Sequence, residues 1–476
     1  MQQTNLSCEL ESSETGTYSP NRAFIRLNKK SAFWKPEVSS SHKEYAVFLH
    51  EYTHYLHNFS TSAGISDFLY ELRAAQYFLM TVGADGTSVG LSDLEETAQE
   101  EYAATQRLRG ALRGAFKLPF HAATHQSDVE LEYVDHALME TTFHFPSQEV
   151  TVGLVELDLR VSSASAEPSS IKVNFGTMLL TEGVAFELEC LYLERRGHDI
   201  HAYRKDVKPM PYMVARRVLE GMTGRQISHE LCIKACLLAL QATDAGAHFF
   251  EIAQRLHDAP EDMEAVITRL AGETKQALKS SIPRLAMAVA DSTGPFAKRN
   301  LIDSATSLLA RTAVAYITRR AEEVFFELEL GKFDPKSPEL DAFLSRFPPC
   351  MIQVLDLESI EPSSLEFAIP MKVDPRLVDS LAAYHSMMHF GLAHFVQNLG
   401  STDSLKPKEC PFLSSCSLPL KISRPHICEV KPWESFDPLS RTSCWYAAGV
   451  AAARGRASGP QPNSEVAPAH AIGQQE

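Results

Sequence analysis

The sequence predicts an α+β protein in which helices predominate. Apolar residues recur at helical spacing through most of residues 210–400. Two shorter segments, 155–161 and 171–175, alternate apolar and polar side chains as half-buried strands do. A proline-rich segment with four cysteines, 410–444, follows the helical part. We therefore expect a small sheet, then a long helical region, then a cysteine-rich closing segment.

Individual elements follow from local patterns in chain order. Residues 22–28 predict a strand, and apolar periodicity predicts helices at 42–59, 65–82 and near 91–109. A further helix ends with Arg195 and Arg196 in its last turn and Gly197 just after it. One long helical run extends from Leu301 to Leu330.

These elements suggest four regions. We expect a compact core over residues 1–200, a helical region over 201–400, the cysteine-rich segment over 401–450, and a disordered tail over 451–476. With 476 residues, the chain is long enough to bury one large core or two smaller ones.

Composition limits the partners and the compartment. The net charge of −15 argues against nucleic acid or an anionic membrane as the main partner, because both require a basic surface. The amino terminus lacks the basic patch and apolar run of a signal peptide, and no uncharged apolar stretch approaches the roughly 18 residues of a membrane span. We therefore expect a cytoplasmic protein whose nine cysteines are reduced thiols or metal ligands.

The chemically distinctive motif is His50-Glu51-Tyr52-Thr53-His54. Residues four apart lie on one face of a helix, so both imidazoles can bind the same metal ion. Glu51 points about a quarter-turn away, where it cannot ligate the ion but can act on a water bound to it. The motif therefore predicts a metal site together with its general base.

The sequence around this motif favours a buried helix. Ser41 and Glu44 match a capping box, which begins a helix ahead of His50. From Val47 to Phe59, only Glu51 carries a permanent charge. An apolar stripe runs beside the histidines and is formed by Tyr45, Leu49, Tyr52, Leu56 and Phe59.

A catalytic zinc site usually has three protein ligands and one open position. The best third ligand is Glu182, which precedes Gly183, Ala185 and Glu189 in the segment 182–189. Together the two segments resemble the gluzincin metallopeptidases, which combine His-Glu-x-x-His with Glu-Gly-x-Ala-x-x-x-Glu. The resemblance covers about thirty residues. It implies a zincin-like catalytic core over residues 1–200, with zinc bound by His50, His54 and Glu182.

The spacing differs from that of the family, because residues 55–181 separate the second histidine from Glu182 whereas about twenty residues are usual. Glu71 lies near the usual spacing and is the alternative ligand. It falls in an amphipathic run, 68–78, where an exposed glutamate is expected. The Gly-x-Met-x-Asn segment of gluzincin aminopeptidases is absent, so the sequence does not support an aminopeptidase.

The resemblance implies a zinc-dependent hydrolase that cleaves peptides or proteins, with Glu51 as the general base for a zinc-activated water. A further donor to the oxyanion is expected, usually a tyrosine or a histidine. The sequence does not choose among the candidates that follow Glu182, namely Tyr203, Tyr212, His198, His201 and His229. Two other functions remain open, namely a metal-dependent hydrolase of a non-peptide substrate and a non-catalytic scaffold or regulatory protein.

Four cysteines suggest a second metal. They fall within 35 residues, separated by five, eleven and fifteen residues, and are Cys410, Cys416, Cys428 and Cys444. Four thiolates on Zn²⁺ or on an iron–sulfur cluster could stabilise a segment with so little core of its own. Four unrelated buried thiols are the alternative, because the spacing lacks a Cys-x-x-Cys pair.

Overall fold

The computed structural model describes most of the chain. The described residues are 16–19, 24–35, 38, 40–83, 88, 90–115, 129–163, 166–259, 262–297, 299, 302–355, 364–367, 375–394, 409–413, 425–436 and 444–454.

Helices make up most of the described residues, which confirms the predicted fold class at the level of a mainly helical protein with small sheets. The first half contains α1 His42–Ser60, α2 Ser62–Met80, α3 Glu96–Arg113, α4 Thr177–Arg195, α5 Ile200–Lys205, α6 Pro209–Tyr212, α7 Val214–Thr223 and α8 His229–Ala239. The second half contains α9 Ala245–Asp258, α10 Met263–Ala297, α11 Asp303–Glu322, α12 Glu327–Leu330, α13 Pro338–Leu344, α14 Pro375–His394, α15 Pro425–Val430 and α16 Trp445–Ala453.

The strands form two separate sheets. They are β1 Gly16–Ser19, β2 Phe24–Asn28, β3 Val129–Phe145, β4 Gln148–Ser163, β5 Ala166–Phe175, β6 Met351–Leu355 and β7 Ser364–Phe367. The first sheet has the order β1-β2-β6-β7, and its central pair, β2 and β6, is parallel. The second sheet is an antiparallel meander, β3-β4-β5.

The two predicted alternating segments are confirmed as neighbouring strands. Leu157 lies opposite Val173, and Leu159 lies opposite Ile171, so the apolar side chains of β4 and β5 share one buried face. This face belongs to the main hydrophobic core. β5 ends only two residues before α4 begins, so the sheet fixes the start of the helix that carries Glu182.

Three predictions about the later chain need correction. The region 201–400 is not helical throughout, because it contributes β6 and β7 to the first sheet. The run 301–330 is two helices, since α11 ends at Glu322. The predicted tail begins too early, because α16 extends to Ala453. Residues 455–476 lie outside the described residues, and the four-region division stays a prediction.

The centre of the fold is the pair α1 and α4. α1 packs against α4 and α11, and α4 packs also against α8. α4 is buried on every side from Leu179 to Leu193, except at Thr181. Three of its buried residues, Glu182, Glu187 and Glu189, are acidic and need compensating partners, because an isolated buried carboxylate is very unfavourable.

Within the described ranges, no helix has both the length and the apolar character that crossing a bilayer requires.

Candidate metal centre

Helix α1 begins as the sequence predicts. The Ser41 hydroxyl accepts a hydrogen bond from the Glu44 amide, and the Glu44 carboxylate accepts one from the Ser41 amide at 2.6 Å. This capping box satisfies amides that would otherwise lack partners. Eight residues later the helix presents His50 and His54 on one face, with ring centroids 4.9 Å apart.

Helix α4 brings Glu182 to these histidines. The Glu182 Oε2 atom lies 3.3 Å from His50 Nε2 and 3.3 Å from His54 Nε2. The three ligand atoms lie within 4.8 Å of one another, and in the described part of the chain no other group of three or more acidic, histidine or cysteine residues meets this condition.

The donor set and its spacing fit a small divalent metal ion. Ligands about 2.0–2.1 Å from a tetrahedral ion lie about 3.3–3.4 Å from one another. Both carboxylate–imidazole distances are 3.3 Å, so one ion can be reached by all three atoms without a large movement. Two imidazoles and one carboxylate leave the fourth position open, as in catalytic zinc sites.

The charge of the cluster also favours a cation. Burial alone would raise the pKa of Glu182, but His54 and His50 hold it well below its ordinary value, so Glu182 is ionised. Within the described residues, no lysine or arginine forms an ion pair with Glu51, Glu182 or Glu189. Three carboxylates around two imidazoles therefore form an acidic, buried site that a bound cation would stabilise.

Glu51 lies next to the cluster and is itself buried, with 7% of its surface exposed. Burial raises its pKa, and the charges of Glu182 and Glu189 raise it further, against the opposing effect of His50 and His54. A raised pKa brings a carboxylate closer to the range of an effective general base. Strand β1 lies against this residue, because a Cβ atom at Gly16 would lie 3.0 Å from the Glu51 Cγ.

A second layer of side chains orients His50. Its Nδ1 lies 3.1 Å from Glu189 Oε2, and the other oxygen of Glu189 accepts a hydrogen bond from the Tyr203 hydroxyl. Because a carboxylate only accepts, Nδ1 donates to Glu189, and this contact directs Nε2 at Glu182 and the metal position. Sequence reasoning assigned no role to Glu189. Its position seven residues after Glu182, two turns along the same face, is the signal that could have indicated one.

Replacing Glu189 with glutamine should weaken metal binding about 10- to 100-fold, since second-layer carboxylates fix ligand orientation and basicity. The affinity is measured by competition with a chromogenic chelator. Glu194→Gln, on the same helix with a side chain 58% exposed, is the matched control and should bind metal like the wild type. Equal affinities for the two variants would contradict the assigned role of Glu189.

The alternative ligand Glu71 lies elsewhere and is not exposed as predicted. Its carboxylate forms an ion pair with Arg109, which also binds Asp67 at 2.6 Å. Only 3% of the surface of Glu71 is exposed. This pairing ties α2 to α3, and it leaves Glu182 as the carboxylate next to both histidines.

Of the five candidate oxyanion donors, Tyr212 has the most suitable surroundings. Its ring lies 5.6 Å from the His50 ring, and within the described residues its hydroxyl has no hydrogen-bond partner. Burial and the nearby charges of Glu182 and Glu51 raise its pKa, so it stays protonated and able to donate. The other four are less suitable, since Tyr203 binds Glu189, His229 binds Glu187 at 2.6 Å, His198 packs against His42, and His201 is exposed.

The predicted cysteine site is only partly visible. Cys416 lies outside the described residues. Cys410 and Cys428 are buried and adjacent in the backbone, since the Cys410 amide donates to the Cys428 carbonyl at 2.7 Å. The Cys444 thiol lies 3.7 Å from the Ser435 hydroxyl. The three described cysteines do not form a metal-binding group by themselves. A four-cysteine site for zinc or an iron–sulfur cluster stays a prediction.

Comparisons with known proteins add no relative. No protein-family model, no curated protein and no solved structure matches this chain. The residues and their geometry are therefore the basis for inferring a function.

Proposed function

We propose that this protein is a zinc-dependent hydrolase, and most specifically a metallopeptidase with a gluzincin-like site in a zincin-like core. The observation that carries the proposal is the largely buried cluster of His50, His54 and Glu182, with Glu51 beside it. A cytoplasmic location, as expected from the sequence, belongs to the same proposal.

In this proposal each residue of the site has a separate chemical role. His50, His54 and Glu182 would hold a divalent metal, which would act as a Lewis acid and lower the pKa of a bound water. Glu51 takes the proton from the attacking water and later delivers it to the leaving amine. Glu189 keeps the proton of His50 on Nδ1, so that Nε2 faces the metal position. The Tyr212 hydroxyl donates to the oxygen that becomes negative as the substrate carbonyl is attacked.

Removing the Tyr212 hydroxyl should slow the reaction without emptying the site. Tyr212→Phe is expected to lower kcat about 10²- to 10³-fold, the loss typical of a missing oxyanion donor. Its metal content and KM should change little, because the hydroxyl binds the transition state and not the metal. The check is steady-state kinetics beside metal analysis, with Tyr70→Phe as the control. A Tyr212→Phe enzyme with wild-type kcat would contradict the role of Tyr212.

The decisive functional experiment is digestion of a diverse, unstructured peptide mixture, with product ends identified by mass spectrometry. We expect cleavage that a chelator abolishes and that added zinc restores. Metal-dependent cleavage of small esters or amides, with every peptide left intact, would favour a hydrolase of a non-peptide substrate. A fully metal-loaded protein that cleaves neither class of substrate would favour the scaffold or regulatory protein.

A further inference from the structure

Exposed apolar side chains concentrate on strand β3. Among the described residues, six large hydrophobic side chains are exposed, and three of them are Val134, Leu138 and Met139. Leu138 is 59% exposed and Met139 is 43% exposed. Adjacent exposed apolar side chains on a regular strand indicate a surface that contacts another molecule.

The outer edge of the same strand has no backbone partner among the described residues from Ala137 onward. On one side, β3 pairs with β4 up to Phe145, which lies opposite Gln148. On the other side, no strand or loop in the described ranges forms backbone hydrogen bonds with residues 137–145. The His136 amide donates to the Asp135 carboxylate at 2.8 Å, so the free edge begins at Ala137. A free edge of this length is a ready template for another strand.

The usual protections of an edge strand are largely missing. Lysine, arginine and proline, which discourage pairing, are absent from residues 129–145. The register irregularity between Tyr133 and Asp135 protects only the part of β3 before residue 135. Beyond it, nine consecutive residues remain open.

The charge of β3 identifies the kind of partner. The strand has no basic residue other than histidine, and Glu140 is the acid within residues 137–145. Three more acids precede this segment on β3, namely Glu130, Asp135 and Glu132, the last of which pairs with Arg160. A second copy of β3 would supply no lysine or arginine to these carboxylates. An extended segment rich in lysine or arginine would place opposite charges there. We propose that residues 137–145 of β3 bind an extended, basic segment of another polypeptide by β-strand addition.

The geometry assigns roles within this docking strand, residues 137–145. Its outer edge forms backbone hydrogen bonds with the incoming segment. These bonds give affinity that does not depend on the sequence of that segment. Leu138 and Glu140 point to the same face, so an apolar residue and a basic residue two positions apart in the partner would contact both. Alternating basic and apolar residues are therefore the pattern this edge selects.

The test is fluorescence anisotropy of labelled nine-residue peptides with the full chain. A peptide of alternating lysine and valine should bind, and its glutamate–valine counterpart should bind at least about tenfold more weakly. Two further lysine–valine peptides carry N-methyl groups on either the odd or the even residues, which blocks one backbone edge at a time. These two peptides have the same charge, but only the one whose pairing edge is blocked should lose binding.

Protein variants locate the contact. Glu140→Lys should weaken binding of the lysine–valine peptide about fivefold or more, whereas Glu339→Lys, an exposed change of equal charge on α13, should not. Leu138→Ser should also weaken it, and circular dichroism verifies that each variant is folded. Three results would overturn the proposal: no binding of the lysine–valine peptide at millimolar concentration, equal loss in the Glu140 and Glu339 variants, or a concentration-dependent dimer that Leu138→Ser abolishes. The last would assign the edge to a second copy.

Discussion

Replacing Glu51 with glutamine should abolish the proposed hydrolytic activity and leave metal binding intact. Glutamine preserves the size and hydrogen-bonding shape of the side chain, but it cannot accept a proton. Loss of a general base typically lowers kcat about 10²- to 10⁴-fold. Because Glu51 stands beside the ligand group and is not part of it, the variant should bind metal with the wild-type stoichiometry.

The measurement combines kcat with metal content on the same preparation. Glu100→Gln, an exposed substitution on α3, serves as the matched control and should match the wild type in both quantities. Activity within about threefold of the wild type in Glu51→Gln would rule out Glu51 as the general base. Loss of the metal together with activity would mean that Glu51 contributes to binding.

The second large effect is on stability and concerns Glu187 on α4. Its carboxylate is fully buried and binds Arg216, with the Arg216 Nε at 2.6 Å, as well as His229 and Arg204. These contacts join α4 to α7, α8 and α5. Glu187→Gln removes the closest and most buried charge partner of Arg216 and leaves it Glu220 at 3.4 Å, which should lower the free energy of unfolding by about 3–5 kcal/mol. Chemical denaturation at pH 7 measures the loss.

The effect should depend on pH in a defined direction. Burial would raise the pKa of Glu187, but hydrogen bonds from Arg216 and His229 lower it from 4.5 to about 2. A pKa that is lower in the folded state adds stability above the unfolded value and loses it as pH falls. The difference between wild type and Glu187→Gln should therefore be full above pH 4.5 and shrink toward pH 2.

A more exposed ion pair is the control for the Glu187 variant. Glu230 binds Arg195 at 2.8 Å near the surface, so Glu230→Gln should change the free energy of unfolding by less than about 1 kcal/mol. Equal losses in Glu187→Gln and Glu230→Gln would contradict the structural importance of the buried network. So would a loss in Glu187→Gln that does not change with pH.

The predictable parts of this fold are those with local causes. The capping box at Ser41 and the apolar stripe beside His50 determine α1, and both are visible in the sequence. Strands β6 and β7 were missed because segments of four or five residues are too short for their apolar pattern to distinguish a strand from a helix segment. The partner of β6 on its other side, β2, lies more than 300 residues earlier, and sequence patterns do not show such pairings.

The candidate site also has some residues that the sequence predicts and others that only the structure identifies. The histidine pair and Glu51 follow from spacing within one helix, and Glu182 follows from the resemblance of its segment. The sequence did not distinguish Tyr212 from the other four candidate donors and did not place β1 beside Glu51, because the approach of both to α1 depends on how distant segments pack. Glu187 appeared as one of several glutamates on an apolar helix, and only the structure reveals its arginine and histidine partners.

The metal content of the purified chain tests the central claim most directly. We predict about one tightly bound zinc per chain at the His50 site, lost in His50→Ala and retained in His201→Ala, an exposed control. A second equivalent that survives His50→Ala and disappears in Cys428→Ser would belong to the cysteine segment. Wild-type protein that binds no zinc after exposure to the metal, or His50→Ala protein with an unchanged zinc content, would contradict the proposed site.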